Sequence, residues 1–304
     1  MNAKQIALKE GNRPRKQRGT RKKKGENNGD EIKIYYNNIN GLTSKKDSLN
    51  HILQMVKPEV VALCETKLHA NSTFELEDYK TLKSNLKAGK EGILIAARKG
   101  TFKSIEIIFE SEAKNIATAE IEYPEEMVRV VVVHGPQEDD SQEDKDDFYN
   151  DLAGEIERCI AAERKLIIAG DLNARLDQSR LNEVKGNGKR LKEVVERYDL
   201  KVLNFGQETE GKWTRIQIKD GVECKSQIDY IITDEVTQKK QIKTSIDEEK
   251  MITPYRTKKD GNKKSITFSD HCAISTSFSI TKGASKTTDK NLQNLKSGSS
   301  LMRE

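Results

Sequence analysis

The chain reads as an α/β protein in which two mixed β-sheets pack face to face with helices on the outside. Three features predict this. Short β-branched runs are numerous, helical stretches are few, and the helices are separated by more than one strand. A doubly wound parallel sheet would alternate strand and helix, so two packed sheets fit better.

Each element follows from its local pattern. The runs at 32–36, 60–64, 92–97, 105–109, 117–121 and 128–133 are short, rich in Ile and Val, and bounded by charged or Gly-containing turns, which predicts strands. Runs at 166–169, 202–204, 213–218, 228–233 and 273–280 continue the series. Helical spacing holds at 46–56, where Pro58 forces a stop, and at 145–162 and 189–198. Lys219-Asp220-Gly221 has the composition of a tight turn between two late strands. No internal repeat is visible, and no run approaches the apolar length needed to span a bilayer.

Charge divides the chain into three. Residues 1–30 hold ten Lys/Arg against three Asp/Glu, and residues 282–304 hold five against two. With a formal +5 for the whole chain, residues 31–281 therefore carry −5. Both ends are too polar to bury a core and read as disordered basic segments, a nucleic-acid arm or nuclear import signal being the role such a block suits. The expected organisation is a basic arm (1–30), one folded domain (31–281) and a basic tail (282–304). Cys64, Cys159, Cys224 and Cys272 have neither zinc nor redox spacing, and no secretory leader is evident, so free thiols in an intracellular, soluble and nuclear protein are expected.

Five polar motifs sit at or just beyond strand ends, where functional groups collect. They are Asn38-Ile39-Asn40-Gly41-Leu42, Glu65-Thr66-Lys67, Gly170-Asp171-Leu172-Asn173, Gln227-Ile228-Asp229-Tyr230 and Ser269-Asp270-His271. Taken singly, each has an ordinary explanation: Asn-Gly is a turn, and a Glu after a buried strand is the chain surfacing. Asp229 is harder to dismiss, because a carboxylate inside an apolar run needs a partner.

Taken together and in this order, the motifs resemble the endonuclease/exonuclease/phosphatase superfamily, and within it the endonuclease domains of LINE-type retrotransposons. The resemblance covers nearly all of 31–281 and implies the family's deoxyribonuclease-like four-layer sandwich. It also implies a phosphodiesterase needing Mg²⁺, with Mn²⁺ as a substitute. Glu65 and Asp270 would be metal carboxylates, with Asn40 associated. Asp171 would orient and deprotonate the attacking water, and Asn173 would hold the phosphate or a second ion. His271, paired with Asp229, would donate to the phosphate, and Asn38 would bind water or phosphate. Such residue types suit the chemistry: a phosphodiester must be neutralised, a water aimed and a leaving oxygen protonated.

Three positions depart from the repair-enzyme pattern. Asn40 replaces a metal-associated Asp, His134 stands where those enzymes carry Tyr, and Gln137 replaces an Asn. His134 is a candidate acid or a turn histidine before Pro136. Arg175 and Trp213 are candidate substrate contacts, Trp213 being first a core residue at the start of a late strand and only second a base-stacking platform. The expected activity is DNA nicking that leaves a 3′-hydroxyl, with DNA as the partner. The alternatives are an abasic-site repair endonuclease, a phosphatase of the same superfamily and an inactive nucleic-acid-binding domain.

Overall fold

The computed structural model describes residues 31–85, 89–124, 126–176, 186–260 and 263–279. The expected arm (1–30) and tail (282–304) lie outside them. In chain order the first strands are β1 (Glu31–Asn38), β2 (Val60–Cys64), β3 (Tyr79–Ser84), β4 (Ile93–Arg98), β5 (Ser104–Glu110), β6 (Ile116–Glu122), β7 (Met127–His134) and β8 (Lys165–Asp171). They continue as β9 (Lys201–Val202), β10 (Thr209–Glu210), β11 (Arg215–Lys219), β12 (Val222–Ser226) and β13 (Asp229–Thr233). The last are β14 (Gln241–Ile246), β15 (Tyr255–Asp260), β16 (Lys263–Phe268) and β17 (Ile274–Ser279). The helices are α1 (Lys46–Val56), α2 (Gln142–Ala161), α3 (Gly186–Arg197) and α4 (Glu235–Gln238).

A seven-stranded sheet has the order β10-β14-β17-β1-β2-β4-β3, and a six-stranded sheet the order β5-β6-β7-β8-β13-β9. Both are mixed, with β1–β2 and β7–β8 parallel and most other neighbours antiparallel. Period-two alternation sorts the side chains into layers. Along β1, Ile32, Ile34 and Tyr36 point into the space between the sheets with Val130, Val132, Ile167 and Ile231 of the facing sheet. Tyr35, Val61, Leu63 and Leu94 face the other way, onto Leu49, Ile52 and Leu53 of α1. On the opposite outer face, Val131, Ile168, Tyr230 and Ile232 pack against Phe148, Leu152 and Ile156 of α2 and Leu191 and Val194 of α3. The layers run helix, sheet, sheet, helix, as expected.

Element edges differ for local reasons. Helix α2 begins three residues before the predicted 145, because the Ser141 hydroxyl caps it by accepting from the Asp144 N–H (3.0 Å). The run 202–204 supplies only a two-residue strand, since Asn204 turns inward: its Nδ2 donates to the Asp229 carbonyl and its Oδ1 accepts from the Ile231 N–H. Strand β11 starts at Arg215, so Trp213 precedes it. Strands β3, β10, β12, β14, β15 and β16 are additional to the predicted set, and their polar sequences explain why no apolar run marked them. Among the described residues, no helix is long and apolar enough to cross a membrane.

Candidate active site

Strand polarity builds the site. β1, β2, β7 and β8 end, and β13 and β17 begin, at one end of the two-sheet stack. In the six-stranded sheet, His134 is in register with Asp171, and Asp171 with Asp229. Glycine permits the first approach: a Cβ at Gly170 would collide with the Val133 carbonyl on the neighbouring strand. In the seven-stranded sheet, Asn38 pairs with Cys64, and Glu65 follows directly. Thus three carboxylates, an amide and one imidazole are brought to one mouth by the pairing of strand ends.

Asn38 joins the two sheets. Its Nδ2 donates to Glu65 Oε1 (2.8 Å) and to Asp171 Oδ2 (3.0 Å). Ser269 ties in the last motif, donating its hydroxyl to the Asn38 carbonyl (2.9 Å) and accepting from the His271 N–H (3.3 Å). The His271 ring lies between two carboxylates, with Nδ1 2.9 Å from Asp229 Oδ2 and Nε2 3.7 Å from Asp171 Oδ2. Asp229 also accepts from the Tyr36 hydroxyl (2.9 Å), and its backbone N–H donates to Thr214 Oγ1. Asn173 closes the Asp171 turn, its N–H donating to Asp171 Oδ1 and its Nδ2 to the Gly135 carbonyl.

These contacts separate the ionisation behaviour of neighbouring groups. Burial and the nearby Asp229 charge push Asp171 up to about 6. Burial disfavours the His271 cation, but Asp229 outweighs it and lifts the ring to about 9. Burial likewise opposes charge on Glu65, yet the neighbouring His134 ring and the hydrogen bond from Asn38 hold it well below the usual carboxylate range. His134, buried, is raised in turn by Glu65 and Asp171, with Nε2 3.5 Å from Glu65 Oε1. A carboxylate that sheds its proton near neutrality beside a ring that keeps one is an acid–base arrangement.

Some of the chain's left-handed residues fall here, others in turns elsewhere such as Lys57, Lys114 and Glu163. Asn40, Glu65, Lys67 and Asn173 all adopt left-handed φ values between +45° and +53°. Asn tolerates that region, but Glu and Lys do so only when their surroundings insist.

Not every predicted residue joins the cluster. Glu65, His134 and Asp171 can offer ligand atoms to one ion, as can Asp171, Asp229 and His271. Asn40 is exposed instead, its Oδ1 accepting from Lys67 Nζ (2.7 Å). Asp270 pairs with Arg215 (Nε to Oδ2, 2.8 Å). Both Asp270 and Glu65 nevertheless act on one ammonium, that of the buried Lys45, which donates to the carbonyls of Ile39 and Asn40. Arg175 and Gln137 are exposed beyond the cluster, and Trp213 is half-buried with Lys212 Nζ 4.5 Å above its ring. Sequence reasoning missed Tyr36, Lys45 and Arg215. Tyr36 sits on a core-facing strand position and Lys45 in a polar run, so neither carried a distinguishing signal.

A model of the endonuclease/exonuclease/phosphatase family matches residues 38–271, from the first site asparagine to the last histidine. The chain belongs to this family. Solved structures share the fold at low identity. The endonuclease domain of TRAS1, a telomere-specific non-LTR retrotransposon, is 16% identical with a TM-score of 0.59, over 83% of this chain and 100% of that one. A 3′ phosphatase from Neisseria, NExo, bound to a product DNA hairpin, is 16% identical with a TM-score of 0.64, over 81% and 99%. The AP endonuclease LMAP from Leishmania major is 15% identical with a TM-score of 0.62, over 83% and 89%. Membership makes the chain a phosphodiesterase-type hydrolase of a family that generally depends on divalent metal.

Proposed function

We propose that this protein is a Mg²⁺-dependent DNA endonuclease that nicks one strand and leaves a 3′-hydroxyl, as a retrotransposon endonuclease does. The observation that carries it is the Asn38 amide, which holds Glu65 and Asp171 together beside a His271 clamped by Asp229. The donor set suits a hard divalent ion: Glu65 stays ionised, and its oxygens lie within reach of Asp171. Glu65 would hold the ion; Asp270, paired with Arg215 here, would join it on releasing that partner, as the family resemblance implies, with Asn40 at the rim, and the ion would supply positive charge to the phosphate.

The residues then have distinct tasks. Asp171 takes the proton of the attacking water as its oxygen bonds to phosphorus. Asn38 aims that water, and the Asn173 turn keeps the Asp171 carboxylate in place. His271 donates from Nε2 to a non-bridging phosphate oxygen, because Asp229 holds the proton on Nδ1. As the bond from phosphorus to the 3′-oxygen breaks, His134 protonates the departing oxygen. Arg175 and Trp213 are assigned to flanking substrate contacts, and the basic ends to non-specific phosphate binding and nuclear import.

Supercoiled plasmid incubated with Mg²⁺ should relax to the open circle, and EDTA should stop it. The nick should then be extended by an added DNA polymerase without end repair. A nick that cannot be extended refutes the 3′-hydroxyl product, and no nicking with Mg²⁺ or Mn²⁺ refutes the endonuclease.

A further inference from the structure

We propose that the β15–β16 ribbon is a docking surface for duplex DNA, gripping the sugar–phosphate backbone beside the cleaved phosphodiester; this rests on the endonuclease reading. The ribbon is a two-stranded sheet of its own, paired from Tyr255↔Phe268 to Asp260↔Lys263 and joined to neither large sheet. Arg256, Lys258, Ser265 and Thr267 are exposed on one face, and Ile266 and Phe268 on the other are 53% and 40% exposed. Beyond the half-buried Tyr255, the described side chains of both faces gain little from the fold that carries them.

Its root is firmly tied to the site. Ser48, in the first turn of α1, donates to the Tyr255 carbonyl (2.7 Å) and accepts from its N–H (3.0 Å). The Tyr255 and Phe268 rings meet edge to face at 5.5 Å. Phe268 leads straight into Ser269, Asp270 and His271, while α1 follows the Asn38–Leu42 loop. The ribbon thus stands beside the site, with Arg256 near enough to disfavour charge on Lys45, whose ammonium donates to the Asn40 carbonyl.

Charge selects the occupant. Residues 255–268 hold five Lys/Arg against one Asp, in a domain whose net charge is −5. Arg256 and Lys258 are two apart and so share one face, with Thr267 and Ser265 opposite them as hydroxyl donors. Such a row of cations and hydroxyls matches successive phosphates, and a two-stranded ribbon has the width of the major groove.

The test is the double substitution Arg256→Gln/Lys258→Gln in the full chain, measured on a duplex oligonucleotide and on bis(p-nitrophenyl) phosphate with Mn²⁺. Duplex affinity should fall, and the slope of log K against log salt should shallow by about two for two lost phosphate contacts. Hydrolysis of the small ester should be unchanged. Equal duplex affinity and slope in a nicking-competent wild type would overturn the ribbon and leave the endonuclease standing. A parallel loss on the small ester would mean that the ribbon shapes the site instead of docking DNA. Should the wild type hydrolyse the ester but neither bind nor nick duplex, the endonuclease reading fails and the ribbon with it.

Discussion

Asp171 and Asp229 face each other in register across the antiparallel β8–β13 pair, both buried, with the His271 ring between their carboxylates. Two anions and one cation in a dry cluster leave an unbalanced negative charge, which falls on Asp171. Removing it with Asp171→Asn should cut cleavage by roughly 10²–10⁴-fold. The same change should stabilise the fold at neutral pH by on the order of 1–3 kcal/mol, because the folded state no longer holds a disfavoured anion. The folded pKa of about 6 lies above the unfolded value near ~3.9, so this gain is full above pH 6 and fades towards pH 4. Denaturant unfolding at several pH values checks it; a variant less stable than the wild type at pH 7 contradicts it.

The pH profile should be bell-shaped. Activity rises through about pH 6 as Asp171 loses its proton. It falls on the alkaline side as the acid His134, itself raised by Glu65 and Asp171, and His271, at about 9, lose theirs. Asp229→Asn should bring the alkaline limb down towards the ordinary histidine range. It should also remove a stabilisation that is full below about pH 6.5 and disappears through pH 9. His134→Ala should lower the maximum by roughly 10²–10⁴-fold, and His134→Tyr should shift the alkaline limb. If His134→Ala keeps the full rate and profile, that residue only ends β7.

Metal dependence should rest on Glu65 and Asp270. Either alanine variant should lose cleavage and the rise in melting temperature that Mn²⁺ gives the wild type. Without metal, Asp270→Ala should melt within a few degrees of the wild type. Glu65→Ala should stay folded but melt lower, because it loses the stabilisation of a carboxylate held ionised beside Asn38. Retained nicking by both would displace the metal from this place.

The basic arm makes a separate contribution. Deleting residues 1–24 removes ten positive charges and one negative from a protein whose domain is acidic. Duplex binding should weaken and its salt dependence flatten, with little change in single-turnover cleavage of saturating substrate. An unchanged salt slope would show that the arm does not meet DNA.

Local pattern was enough for the layers. Val60–Cys64 is an unbroken apolar run between Pro58 and Glu65, and the strand occupies those five residues. Lys46–Val56 is amphipathic and stops where Lys57 turns left-handed before Pro58. The described side chains of the ribbon, by contrast, are exposed on both faces save the half-buried Tyr255, so they show no burial period to read. Motif order likewise named Asn38, Glu65, Asp171, Asp229 and His271 without distances.

Pairing and charge at the mouth were out of reach of that pattern. The Tyr36 hydroxyl meets Asp229 across 193 residues, yet Tyr36 reads as core because its ring is core and only its oxygen is polar. Asn40 and Asp270 look equivalent to their neighbours in the motifs, but Lys67 and Arg215 hold them outside the Asn38 cluster. Hydrophobic periodicity records which face of an element is dry. Which two strand ends become neighbours depends on register across sheets, and that is set by contacts far apart in the chain.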